Sequence, residues 1–178
     1  MTAIVNESLK KGVIEIFRRE KPVERLFAFD LIPANKLKNA KDSYASSLGD
    51  DEALVFMYDD TLRESAKDGF ILTTKRLYTK NFTESGCYTN IENIRDMAYK
   101  PSKLSPSIAV RTDFASFEIQ ITCANDKTAL FNVLDSTVRL LKVQISEGKT
   151  YSRIVCKSCG AYNAGAAAVC EYCESPLK

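Results

Sequence analysis

Apolar residues first recur at Ile4, Val5, Leu9, Val13, Ile16 and Phe17, which predicts an amphipathic helix over residues 4–19 with Gly12 inside it. Acidic Glu7, Glu15 and Glu20 interrupt its basic face, so packing on its own domain is preferred to a membrane-surface or partner-bound role. In "PANKLKNAKDSYASSL", Pro33 suits a first turn, and Leu37, Ala40, Tyr44 and Leu48 repeat at helical spacing until Gly49. From residue 53 the period shortens. "ALVFMYDD" reads as a strand ending in acidic turn residues, and "GFILTTKRLYTK" as two strands around a tight connection at 74–76. "NIENIRDMAY", "SIAVRT" and "FASFEIQIT" follow. In the last, Phe117, Ile119 and Ile121 alternate with polar residues, as in a strand with one buried face. Short strands joined by close turns predict an antiparallel meander. Then "NDKTALFNVLDSTVRLLKVQIS", capped at Asn125 or Asp126, carries an apolar stripe through Leu130, Val133, Leu134, Val138, Leu141 and Ile145, with Gly148 as its stop. A curved antiparallel sheet leaves an open end, and one helix placed last in the chain can plug it. The expected class is α+β: N-terminal helices over 1–50, a curved sheet or barrel with its closing helix over 51–146, a linker at 147–153, and a small tail over 154–178.

Composition narrows the class of protein. The chain has 178 residues, 45% hydrophobic and 27% charged, the profile of a folded soluble protein with room for one domain and an appendage. Lys+Arg 25 against Asp+Glu 23 leaves a formal net charge of +2, without the electrostatic footprint of a nucleic-acid or anionic-membrane binder. Residues 1–20 carry charges among their apolar positions, so no signal peptide is expected, and no run reaches the roughly 18 apolar residues of a spanning helix. A cytoplasmic location is the expectation, and there paired CxxC motifs favour metal over disulfide.

The tail "VCKSCGAYNAGAAAVCEYCESPLK" holds Cys156, Cys159, Cys170 and Cys173 as C-x2-C-x10-C-x2-C. Two residues between sulfurs let a tight turn aim both at one ion, and Gly160 supplies permissive backbone just after the second ligand. Four thiolates close a tetrahedral shell around Zn²⁺, whereas catalytic zinc keeps a position open and usually takes histidine ligands. The chain has no histidine. Structural zinc is therefore the preferred reading; iron, a redox dithiol pair and disulfides are the remaining ones. Cys87 and Cys123 lack a CxxC partner and are read as free buried cysteines rather than reactive thiols.

Two resemblances rest on these segments. Over about residues 32–145 the chain resembles the bacterial pleckstrin-homology-like domains and the related GRAM group. The resemblance is carried by "IPANKLKNAKDSYASS", "YDDTLRESAKDG", "GFILTTKRLYTK", "NIENIRDMAY" and the closing helix. The tail resembles the short zinc ribbons at the ends of many bacterial proteins through "CKSCGAYN" and "CEYC" with a final "PL", except that Glu174 stands where the second glycine is usual. The first resemblance implies a ligand site near the first strand pair, where Lys67, Lys75, Arg76 and Lys80 are the candidates; the competing reading is exposed strand-edge charge.

No phosphate loop, dinucleotide fingerprint or nucleophile elbow is present, and the commonest acid-base residue is absent, so an enzyme is disfavoured. The carboxylates of "DDEALVFMYDD" are read as turn and strand-end solvation in preference to a divalent-cation site. The expectation is a non-catalytic binding or adaptor protein with a protein partner ahead of a phospholipid. Nucleic-acid binding through the ribbon is the alternative: Lys149, Arg153 and Lys157 favour it, while Glu171 and Glu174 oppose it. Self-association through an exposed sheet edge is a third reading.

Overall fold

Asn6 starts the first helix later than periodicity predicts. Its side chain accepts a hydrogen bond from the Leu9 amide, so helix α1 runs Glu7–Arg19, while Ala3–Val5 form strand β1. Ile4 and Val5 fall in phase with the helix but are β-branched residues ahead of its cap. The structure, a computed structural model, describes residues 3–147, 152–164 and 167–177. Strand β2 (Leu26–Ala28) and a short 3₁₀ turn lead to helix α2 (Ala34–Ser43), which Pro33 caps. The expected continuation of α2 to Leu48 fails because the chain turns at Tyr44, where the amides of Tyr44 and Ala45 both donate to the Ala40 carbonyl.

The meander follows as β3 (Leu54–Asp59), β4 (Gly69–Thr73), β5 (Arg76–Lys80), β6 (Cys87–Asn90), β7 (Ile94–Lys100), β8 (Ser107–Thr112) and β9 (Ser116–Gln120). Helix α3 (Lys127–Ser146) comes next, with the Asp126 carboxylate accepting from the Ala129 amide at its cap. Two antiparallel sheets result, β2-β3-β4-β5-β6 and β7-β8-β9, making a mixed α+β fold. They share no ladder, so among the described residues no barrel closes. Side chains join them instead. The Asn81 carboxamide donates to the Glu118 carbonyl and accepts from the Gln120 amide, while Asp60 accepts from the Thr122 and Cys123 amides.

Strands β3 and β4 are buried almost throughout because the larger sheet is covered on both faces. Phe56, Tyr58, Phe70 and Leu72 pack toward α1, α3 and the second sheet; Met57, Ile71 and Tyr78 pack under Ala40, Tyr44 and Ala45 of the α2 segment. Helix α1 packs on α3 in the same chain. Leu9 and Val13 are fully buried, and a Cβ at Gly12 would come within 2.8 Å of Leu140, so glycine lets the two helices approach. Arg19 donates to the Ser136 hydroxyl, and Asn132 donates to Glu20, along the same contact.

The two ends of the chain meet in a third sheet, β1-β10-β11, in which β10 (Ser152–Val155) lies between β1 and β11 (Tyr162–Ala164). Of the expected linker, Glu147 caps α3 and 152–153 open β10; residues 148–151, including the predicted stop at Gly148 and the basic Lys149, lie outside the described residues.

Candidate metal centre

Strand β10 delivers Cys156, the 157–160 turn returns the chain through Cys159, and β11 leads on to a second, similar turn carrying Cys170 and Cys173. The turns share their hydrogen bonding: the Gly160 amide donates to the Cys156 carbonyl at 2.8 Å, and the Glu174 amide donates to the Cys170 carbonyl at 2.9 Å. Both residues after the second sulfur take left-handed backbone, Gly160 at φ 74° and Glu174 at φ 59°. The second turn therefore forms without its usual glycine, although glutamate is strained there.

All four sulfurs lie within 4.8 Å of one another, with Cys156–Cys173 and Cys159–Cys170 both at 3.6 Å. Sulfurs about 2.3 Å from one tetrahedral ion stand about 3.8 Å apart, whereas a disulfide needs about 2.05 Å. The cysteines are free thiols arranged around a common point, a cluster able to hold a metal ion. Among the described residues no other group of cysteines and carboxylates converges in this way.

Local dipoles favour thiolates. Burial acts against Cys170, but the Tyr172 and Cys173 amides, the Asn163 carboxamide and the Cys159 thiol outweigh it and lower the group to about 6. The Ser175 hydroxyl and amide, with Cys159, lower Cys173. Cys159 moves the other way: the Ala161 amide lowers it, yet Cys173, burial and the remaining sulfurs push it up to about 12. Below the sulfurs, Ile154 and Leu177 are buried with Cys156 and Cys170 in a core of their own. Asn163, 2% exposed, was not foreseen from sequence; it donates to the Cys170 sulfur and the Ala161 carbonyl and accepts from the Glu171 amide, locking one turn to the other.

The candidate ligand cations do not converge. Lys75 and Arg76 sit at one end of the β4–β5 hairpin, Lys67 and Lys80 at the other, separated by about 17 Å of strand. Lys75 pairs with Asp51, Arg76 with Glu52 at 3.0 Å, and Lys80 with Asp68 at 2.7 Å. Lys67 is exposed, and its carbonyl accepts from Ser43 and Lys80. Strand-edge charge fits Lys75, which is about half exposed, but not Arg76, whose guanidinium also donates to the Tyr78 hydroxyl and lies 4.9 Å from the Tyr88 ring.

Among the carboxylates of 50–60, Asp50 and Asp51 are exposed, as expected of turn residues, but two others are not. Glu52 and Asp59 are buried, Glu52 accepting from Thr73, Arg76 and Tyr78, and Asp59 from Lys36 and Thr61. Burial, with Glu52 beside it, pushes the Tyr78 hydroxyl up to about 12. Cys87 is exposed rather than buried, and Cys123 is half-buried, its sulfur donating to the Asp60 carbonyl. No family model matches the chain, and neither a curated protein nor a solved structure does. Among the described residues no helix is long and apolar enough to cross a membrane.

Proposed function

We propose that the chain is a non-catalytic binding or adaptor protein: residues 51–146 act as a pleckstrin-homology-like domain contacting a protein ligand, and the four-cysteine tail is a zinc ribbon that adds a second contact surface. Support for the first part comes from element order, since four antiparallel strands β3–β6, three more β7–β9 and then α3 follow one another as such a domain requires. Support for zinc comes from four sulfurs gathered within 4.8 Å of one another, two pairs of them at 3.6 Å, with no other ligand type among them; four thiolates on one ion would close its shell and leave no position for water or substrate. The ion's role is then structural, and the residues holding it are Cys156, Cys159, Cys170 and Cys173.

The observation that favours a protein over a phospholipid headgroup is the neutralisation of Lys75, Arg76 and Lys80 by Asp51, Glu52 and Asp68. A headgroup phosphate would have to compete with carboxylates already seated, at two places too far apart for one phosphate. In pelleting with phosphatidylcholine vesicles doped with phosphatidylserine or phosphoinositide, the protein is expected to stay in the supernatant. Salt-sensitive pelleting that disappears in a Lys75→Glu/Arg76→Glu variant would overturn the preference for a protein ligand.

A further inference from the structure

The two main sheets expose neighbouring edges, and the gap between them is built for a polypeptide backbone. In the β5–β6 ladder the Ile91 amide donates to the Lys75 carbonyl, which fixes the alternation: Cys87 and Thr89 direct their backbone groups to β5, and Tyr88 directs its N–H and C=O outward. In β9 the Ile121 amide bonds the Pro106 carbonyl, so Ser116, Glu118 and Gln120 point their backbone groups away from β8. At the lower end of that edge, Asn81 already does what a neighbouring strand's peptide unit would do, donating to the Glu118 carbonyl and accepting from the Gln120 amide. Beyond Asn81 the strand-like partner stops.

Past a smaller cleft beside Asn81 lined by Lys80, Glu84 and Glu118, a groove of about 410 Å³ follows, walled by β6 on one side and by Phe117 and the β8–β9 turn on the other. Its lining contains no charged side chain, and Phe114 and Tyr88 stand 84% and 51% exposed beside it. Neutral walls do not attract a headgroup or a nucleic-acid backbone, both of which need cations. Outward amides and carbonyls next to aromatic rings fit an extended peptide, which satisfies the edge through its backbone and fills the groove through alternate side chains.

We infer that this groove is a docking slot for an extended segment of a partner polypeptide, which adds as a strand along the outer edge of β6 and sets apolar side chains against Phe114 and Phe117. The inference rests on the adaptor reading and supplies its site.

The test uses the full chain loaded with zinc. A random peptide display library is selected on the immobilised protein, and enriched peptides are titrated by fluorescence anisotropy against wild type, Phe114→Glu and Tyr88→Pro. Phe114 lies in an exposed turn, and the Tyr88 N–H faces away from β5, so proline there leaves the ladder intact. Enriched peptides should alternate apolar and polar residues, bind both variants at least tenfold more weakly, and slow hydrogen exchange of the Tyr88 amide. Three outcomes overturn the slot: no peptide enriched, equal binding to wild type and Phe114→Glu, or a wild-type dimer in light scattering that Tyr88→Pro abolishes, which would make a second copy the occupant. Any of these leaves the adaptor reading standing, because the vesicle measurement tests its preference for a protein over a phospholipid separately.

Discussion

Gly160 and Glu174 occupy equivalent places after the two CxxC turns, and both hold positive φ. A Cβ at Gly160 would meet nothing within 4 Å, so a substitution there costs conformational energy alone. Gly160→Ala is expected to weaken the ribbon by about 1 kcal/mol, and Glu174→Gly to strengthen it by a similar or smaller amount, since added chain freedom in the unfolded tail offsets part of the relief. Chelator competition for zinc reads both, as opposite shifts of up to roughly fivefold in apparent affinity. Equal affinities for all three proteins would show that the second turn is not strained. The spacing of the sulfurs and the need for one left-handed residue were legible in the sequence. Asn163 was not, because an asparagine between two CxxC motifs reads as an ordinary turn residue until the fold sets its carboxamide between Cys170 and Glu171.

Helix α2 is fastened to the larger sheet through a buried ion pair. Lys36, 8% exposed, donates to the Asp59 carboxylate and the Glu64 carbonyl and lies 5.3 Å from the Phe27 ring. Burial works against ionised Asp59, yet the Lys36 ammonium and the Thr61 hydroxyl and amide outweigh it and hold the carboxyl below its usual value. A depressed carboxylate contributes stability that is present above the unfolded value and lost as pH falls through the folded one. Without Lys36, only the Thr61 hydroxyl and amide oppose burial, so the buried carboxylate loses its counter-charge and the penalty is relieved by acid. Lys36→Met is therefore expected to cost about 3–5 kcal/mol at neutral pH, and the gap from wild type should narrow near about pH 4. Urea unfolding at the two pH values checks this, and a gap independent of pH would contradict it. From sequence, Lys36 is one more polar residue on a short helix, and β3 and β4 read as continuous apolar runs. Their meaning lies in a sheet covered on both faces, with Met57 and Ile71 turned toward α2, which periodicity within one strand does not reveal. Most of the meander and the closing helix were legible from short apolar runs between turn residues, the alternation in β9 and the cap at Asp126; β2, of three residues, and β6, whose Cys87 and Tyr88 are exposed, carry no such pattern and were not. The end of α2 and the start of α1 were not, since Tyr44 and Ile4 fall in phase with helices that local hydrogen bonds stop or delay.

At the scale of the whole molecule, the cysteine cluster is tied to more than the tail. Strand β1 has three residues, and its ladder partner is β10, with Ala3 opposite Ile154 and Val5 opposite Ser152. Strand β10 runs directly into Cys156, and Ile154 is buried against the sulfur-bearing turns. A three-residue strand has no stability of its own, and four buried residues form too small a core to keep the tail folded. On the proposed reading, zinc binding, worth about 10–16 kcal/mol at sites of this kind, would supply the difference and through β10 hold β1, whose Val5 also packs on the main core. Helix α1 does not depend on it, because Leu9 and Val13 are buried against the main core and Gly12 meets Leu140 on α3. Removing the metal should therefore separate two adjoining elements. Hydrogen exchange followed by mass spectrometry, before and after chelation under reducing conditions, is expected to show residues 3–5 and 152–164 exchanging at least tenfold faster while α1 and β3–β5 keep their protection. Re-adding zinc should restore the slow exchange, and Cys156→Ser should reproduce the chelated pattern without any chelator. Persistent protection of residues 3–5 in metal-free protein would mean that β1 is held by the main domain rather than by the ribbon.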